Sequence, residues 1–167
     1  MAELETIIAD VIAMCDGEAA PSSFSDNRRV TVPAARVHDV LAALRSQHGF
    51  DMLMDVTAVD YLEYPGAANR LGVVYLLLNT AANLRLIVKT FVDLPDPKVP
   101  TATDLWLGAN WLEREVYDMF GITFTGHPDL RRILMPDEFT AFPLRKDYPL
   151  KGYGERHNFP VLTRAES

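Results

Sequence analysis

The chain contains a single cysteine, Cys15. That excludes an internal disulfide and, within this chain, a four-cysteine iron–sulfur cluster or a cysteine-rich zinc site. Positive charge is also scarce. The net charge is −7 and both halves are acidic, so the basic footprint of a nucleic-acid binder is missing. The longest apolar run, Leu71 to Leu78, is far too short to span a bilayer, so membrane association has to come through a partner. The first residues carry Glu3, Glu5 and Asp10 where an export signal carries Lys or Arg. Gly152-Tyr153-Gly154 lacks the strand and helix around it that a dinucleotide site needs. No Ser/His/Asp or Cys/His arrangement can be assembled. What is present is a chain of 167 residues, 49% hydrophobic and 23% charged, which suits one globular domain plus an appendage.

The periodicities predict an α+β fold with a mainly antiparallel sheet, helices packed on one face, and an extended Pro-rich C-terminal tail. Leu4, Ile7, Ile8, Val11 and Ile12 make one stripe of a helix over 3–15, closed by Gly17 and Pro21. Cys15 is a small core residue on that helix. A short strand follows over 28–32. Pro33 then opens a helix with Val37, Val40, Leu41 and Leu44 inward and Gly49 at its C-terminal stop. A strand over 50–62 places Met52, Met54, Val56 and Ala58 on one face. Residues 71–78 and 84–92 form a hairpin through Asn79 to Asn83, and the first run, apolar on both sides, is expected to be covered on both sides. Pro95, Pro97 and Pro100 make a stiff linker.

The next helix is expected to start at a Thr101 or Thr103 cap and run to Phe120, with Gly121 as its left-handed stop. Leu105, Ala109, Leu112, Val116, Met119 and Phe120 face the sheet. Leu107 and Trp111 share the back of the helix with Arg114 and Asp118, which are i, i+4 neighbours able to satisfy each other. A back face with an indole needs cover, either from the tail or from another subunit. Glu113, Glu115 and Asp118 are candidate acid–base carboxylates if burial separates their pKa values. The simpler expectation is an ion-pair network fixing the helix to the tail, with Arg131, Arg132 and Arg145 as partners. His127-Pro128-Asp129 carries no metal-ligand spacing, and His127 reads as a hydrogen-bonded structural residue.

From Pro128 onward the chain holds five of its eleven prolines, which excludes long helices. Leu130, Ile133, Leu134, Phe139, Phe142, Leu144, Tyr148, Leu150, Tyr153 and Phe159 recur as apolar anchors. Burying them on a small domain falls short of the entropy lost on ordering the tail. The predicted division is therefore an α+β domain over 1–125 and an extended partner-binding tail over 126–167, much of it ordered only on a neighbour.

Four stretches together are specific: Glu113-Arg114-Glu115, Asp118-Met119-Phe120-Gly121-Ile122, Gly126-His127-Pro128-Asp129-Leu130-Arg131-Arg132-Ile133-Leu134, and Pro143-Leu144-Arg145-Lys146-Asp147-Tyr148-Pro149-Leu150. In this order they closely resemble the 30-kDa subunit family of respiratory complex I, the bacterial NADH–quinone oxidoreductase. The resemblance implies a non-catalytic structural subunit in the peripheral arm of a complex that passes electrons from NADH to quinone and couples this to proton translocation. It implies no cofactor in this chain, with FMN and iron–sulfur clusters in partner subunits. The expected neighbour is chiefly the 49-kDa-type quinone-site subunit, on the cytoplasmic side of the bacterial inner membrane, and the chain looks like the short form not fused to that subunit. Trp111, Glu113, Arg114, Glu115, Asp118, His127, Arg131, Arg132, Arg145, Lys146, Asp147 and Tyr148 are the signature and interface residues it points to. Membrane-bound hydrogenase complexes share parts of the signature, and an autonomous carboxylate-dependent enzyme is the remaining alternative.

Overall fold

A computed structural model describes residues 2–154, so Phe159 and the rest of the predicted tail beyond 154 lie outside the described residues. The elements run α1 (Ala2–Met14), β1 (Ala20–Phe24), β2 (Asn27–Thr31), a 3-10 turn (Ala34–Arg36), α2 (Val37–Ser46), β3 (Met52–Asp60), β4 (Leu71–Asn79), β5 (Leu84–Val92), β6 (Lys98–Pro100), α3 (Ala109–Phe120) and β7 (Thr123–Thr125). The large sheet has the order β1-β2-β5-β4-β3. All its pairs are antiparallel except β2 with β5. The predicted α+β class with a mainly antiparallel sheet holds.

One face of that sheet carries the core. Val30, Val56, Val73, Tyr75, Leu77, Leu86 and Val88 point inward and are buried with Leu4, Ile7, Ile8 and Val11 of α1 and Val37, Val40, Leu41 and Leu44 of α2. Inward Tyr75, on β4, is fully buried and its hydroxyl has no hydrogen-bond partner among the described residues. α3 runs beside β3 and adds Ala109, Val116, Met119 and Phe120 to the same cluster.

Several local expectations change. β1 falls where Gly17 and Pro21 read as breaks. It is an exposed edge strand, and Pro21, opposite Val30, is tolerated because an edge has no second ladder to donate to. The alternation of β3 is interrupted by a bulge between Leu53 and Asp55, so Met52 and Met54 are exposed while Val56 and Ala58 are buried. The expected linker is built into the fold, because Lys98–Pro100 pairs in parallel with Thr123–Thr125. β4 is covered by described residues on one face only: Val74, Leu76 and Leu78 on the other remain half-buried and lie outside the core cluster.

The largest shift is at the start of α3. It begins at Ala109 after Gly108, with no side-chain cap, instead of at Thr101 or Thr103. Thr101 is occupied elsewhere. Its hydroxyl and the Ala102 N–H both donate to the Glu113 carboxylate, which draws the 101–104 loop alongside the helix and away from its end. Gly121 does stop the helix in the left-handed conformation, at φ 72°.

Candidate partner-binding site: the clasp between helix and tail

Residues 126–154 form turns without helix or strand, and polar groups of α3 hold them. The centre of the clasp is Asp118. Its carboxylate accepts from Arg132 Nη1 at 2.7 Å and from the backbone N–H groups of Ile133, Leu134 and Met135 at 3.1, 2.7 and 2.8 Å. The side chain is fully buried. Burial favours its protonated form, but the three N–H groups and the guanidinium outweigh it and hold the acid below the usual carboxylate range.

Arg114, one turn earlier, grips the same segment through its carbonyls. Nε donates to Arg131 O at 3.1 Å and Nη2 to Arg132 O at 3.2 Å, while its guanidinium sits over the Trp111 ring at 5.0 Å. The expected Arg114–Asp118 pair therefore does not form. The donor and the acceptor of the pair each take the backbone of 131–135 instead. This is the arrangement a chain without secondary structure needs, since its backbone groups must find partners when they leave water.

The next anchor is Arg145. Its Nε donates to Phe120 O at 2.5 Å, one of the orphan carbonyls at the helix end, and Leu144 N–H donates to Met119 O at 3.1 Å. Phe142 lies under the Arg145 guanidinium at 4.4 Å. A Cβ at position 121 would come within 2.5 Å of Phe142 and 2.6 Å of Arg145, so Gly121 is required by close approach as well as by φ.

A third anchor was not legible as a site. Asp60, fully buried at the end of β3, accepts from the Lys146 N–H at 2.9 Å and from Arg70 at 3.1 and 3.2 Å. Arg70 also pairs with Asp147 at 2.7 Å. The Lys-Asp turn of the tail is thus tied to the β3–β4 end of the sheet. The usable signal was the phase of β3: Asp60 continues the inward series Val56, Ala58, and an acid at a core-facing position requires a partner.

The remaining predicted residues divide. Arg132 is a tail arginine that pairs with α3, and it also donates to Ala141 O at 3.2 Å. Arg131 does not pair with the helix; it bonds its neighbour Asp129 at 2.9 Å in an exposed position. Among the described residues Glu113 pairs with no arginine. Burial pushes its carboxyl up to about 7, against the hydrogen bonds of Thr101 and Ala102. Glu115 is exposed and Lys146 contributes its backbone. His127 accepts the Asp129 N–H at Nδ1 and lies 3.2 Å from Asn110 O at Nε2, so its ring bridges the tail to the start of α3 as a structural residue. Tyr148 packs edge-on to Phe139 and Tyr153. Glu113 and Asp118 serve different segments, so no carboxylate pair faces a shared cleft.

The anchors leave half of the large apolar side chains of the described tail outside. Leu134 is 61% exposed, and Ile133, Leu144, Leu150 and Tyr153 are exposed as well. Trp111 remains exposed on the back of α3 at 61%, and Leu107, expected on that face, lies in the turn before the helix and is 89% exposed. Phe139 is buried, Leu130 and Met135 are half-buried against the core, and Phe142 and Tyr148 are half-buried.

Residues 30–154 match the family model of the respiratory-chain NADH dehydrogenase 30 Kd subunit. The chain belongs to this family. It is 47% identical over 152 residues to the C subunit of the NADH-quinone oxidoreductase of Novosphingobium aromaticivorans, covering 91% of this chain and 47% of that protein. It is 51% identical over 125 residues to the corresponding protein of Trichlorobacter lovleyi, covering 75% of this chain and 76% of that one. The chain spans about half the length of the Novosphingobium and Erythrobacter relatives. Among solved structures it matches a trypsin-resistant fragment (1-134) of Nqo5, with TM-score 0.68 and 38% identity, covering 77% of this chain and 99% of the fragment. It also matches a chain of a membrane-bound sulfane sulfur reductase, an archaeal respiratory membrane complex, with TM-score 0.75 and 26% identity, covering 97% of this chain and 94% of that chain. No helix of the described residues of this family member is long and apolar enough to cross a membrane.

Proposed function

We propose that the chain is a structural subunit of the peripheral arm of an NADH:quinone oxidoreductase, and that it carries no catalytic residue and no cofactor of its own. In this reading it holds the quinone-module subunits in register, chiefly the 49-kDa-type subunit, on the cytoplasmic side of the bacterial inner membrane. FMN and iron–sulfur clusters belong to its partners. One observation carries the reading. The tail is laid down by its polar backbone atoms, through Asp118, Arg114, Arg145 and Asp60, while Ile133, Leu134, Leu144 and Leu150 face away from the domain. An apolar series left outside a polar clasp suits a neighbour's surface.

The match to the archaeal sulfane sulfur reductase favours a second reading, in which the same scaffold serves a different respiratory membrane complex. Recovery of the complex through a tag on this chain separates the two. The first reading predicts co-purification of a large quinone-site subunit together with NADH-driven quinone reduction. Recovery of the chain alone contradicts both readings, and a complex inert to NADH contradicts the first.

A further inference from the structure

The outer face of the large sheet carries a surface that the tail does not use. Met52, Met54, Leu76, Leu78 and Ile87 form an apolar strip across β3, β4 and β5, adjacent through the pairs Met52–Leu78 and Leu76–Ile87. The two methionines are 48% and 43% exposed. A strand apolar on both faces, as β4 is, normally has cover on both. Described residues supply it on one.

Charge marks one side of the strip. Arg29 on β2 and Arg85 and Lys89 on β5 flank it, and none of the three forms an ion pair among the described residues. Arg29 lies over the Phe24 ring at 5.5 Å, and Lys89 over the rings of Tyr61 and Phe91 at 4.3 and 4.5 Å. Asp55 is the single acid pointing outward from β3, β4 and β5. An unmatched cationic margin on a chain of net charge −7 is a local inversion of its field.

We propose that this face is a second interface and that its occupant is an amphipathic helix of a neighbouring subunit, apolar toward the strip and bearing carboxylates along the margin that meets Arg29, Arg85 and Lys89. The inference rests on the reading of the chain as part of an assembly. A helix packed across a sheet face is one of the standard layer arrangements. A second copy of this chain is a poor fit, since it would set three further cations against one Asp55 per face. Methionine side chains suit such a surface because they repack around a partner.

The test is oxidative footprinting of the full chain, alone and within the complex recovered through its tag, using hydrogen peroxide and peptide mass spectrometry. Alone, Met52 and Met54 oxidise readily and buried Met119 does not. In the complex their oxidation falls at least ten-fold. In the complex containing the Arg85→Lys chain, carbodiimide joins the amine at position 85 to an Asp or Glu in a helical segment of another subunit. Unchanged oxidation in an intact complex overturns the inference and leaves the subunit reading standing. Protection that appears in the isolated chain as its concentration rises assigns the face to a second copy and also overturns it. A tag that recovers no other subunit removes both readings, and is told apart by the absence of any complex.

Discussion

α3 buries two carboxylates, and its two ends treat them oppositely. Glu113, toward the N-terminal end, lies against the 101–104 loop and accepts from one hydroxyl and one N–H, with no arginine or lysine paired to it among the described residues. Asp118, little more than a turn later, lies against the tail with three N–H groups and a guanidinium. Burial is the first influence on both, yet one acid is pushed up to about 7 and the other is held below its usual range. Donor number decides the sign. The comparison also teaches which contact is built for an ion. Glu113, raised to about 7, keeps its proton well above the usual carboxylate range, whereas Asp118 works as an anion that folds a loop around itself.

The sharpest way to break this contrast is Asp118→Ala. It leaves Arg132 and three backbone N–H groups without their acceptor, and removal of one partner of a buried pair costs about 3–5 kcal/mol. Thermal unfolding should move down accordingly, and amide exchange should speed up at 133–135 while the amides of β4 change little. The carboxylate's stability contribution is present above the ordinary value of 3.8 and is lost as pH falls below it toward the depressed folded value.

Glu113 gives the opposite limb. Because its folded pKa is raised from 4.5 to about 7, the folded state holds the proton more tightly. Its stabilising contribution is full below 4.5 and is lost as pH rises to about 7. Glu113→Gln mimics the neutral acid, so at pH 8 the variant should be more stable than the parent by up to about 3 kcal/mol, converging toward pH 4. Denaturant midpoints across that range measure it. Equal midpoints at pH 8 would place Glu113 in a more polar setting.

Smaller effects separate the two neighbouring arginines. Arg132→Ala removes the cation of the Asp118 pair and the bond to Ala141 O, and should destabilise by about 2–3 kcal/mol as a charged buried hydrogen-bonding group. Arg131→Ala removes an exposed local pair with Asp129 and should stay within about 0.5 kcal/mol. A reversal of that order would mean that the clasp is assigned to the wrong residue.

What was legible in the residues follows their range. The stripes of α1 and α2, the spans of the three long strands and the Gly121 stop are local patterns and appear where the periodicity puts them, whereas the bulge in β3 splits its predicted face and Leu105 of the α3 stripe falls before the helix. The exposed Trp111 was equally legible, because an indole on the outer face of a helix stands out, whereas Leu107, expected beside it, precedes the helix. Partner choice was harder. Arg114 and Asp118 have ideal i, i+4 spacing, yet the competing backbone of 131–135, distant in sequence, takes both. The late start of α3 has the same origin, since Thr101 is a good cap by type but Glu113 holds its hydroxyl. Asp60 and Arg70 act 86 and 77 positions from the tail residues they hold, Lys146 and Asp147, and pairwise contact at that separation leaves no local trace.

Limited trypsin digestion of the full chain, alone and co-expressed with the large quinone-site subunit, tests the central claim most directly. The account predicts cleavage in the tail at Lys146 and Lys151 in the isolated chain, an intact residue 1–120 core, and protection of those sites in the co-purified pair. Equal resistance of the tail in both samples, with no association between the two chains, would contradict it.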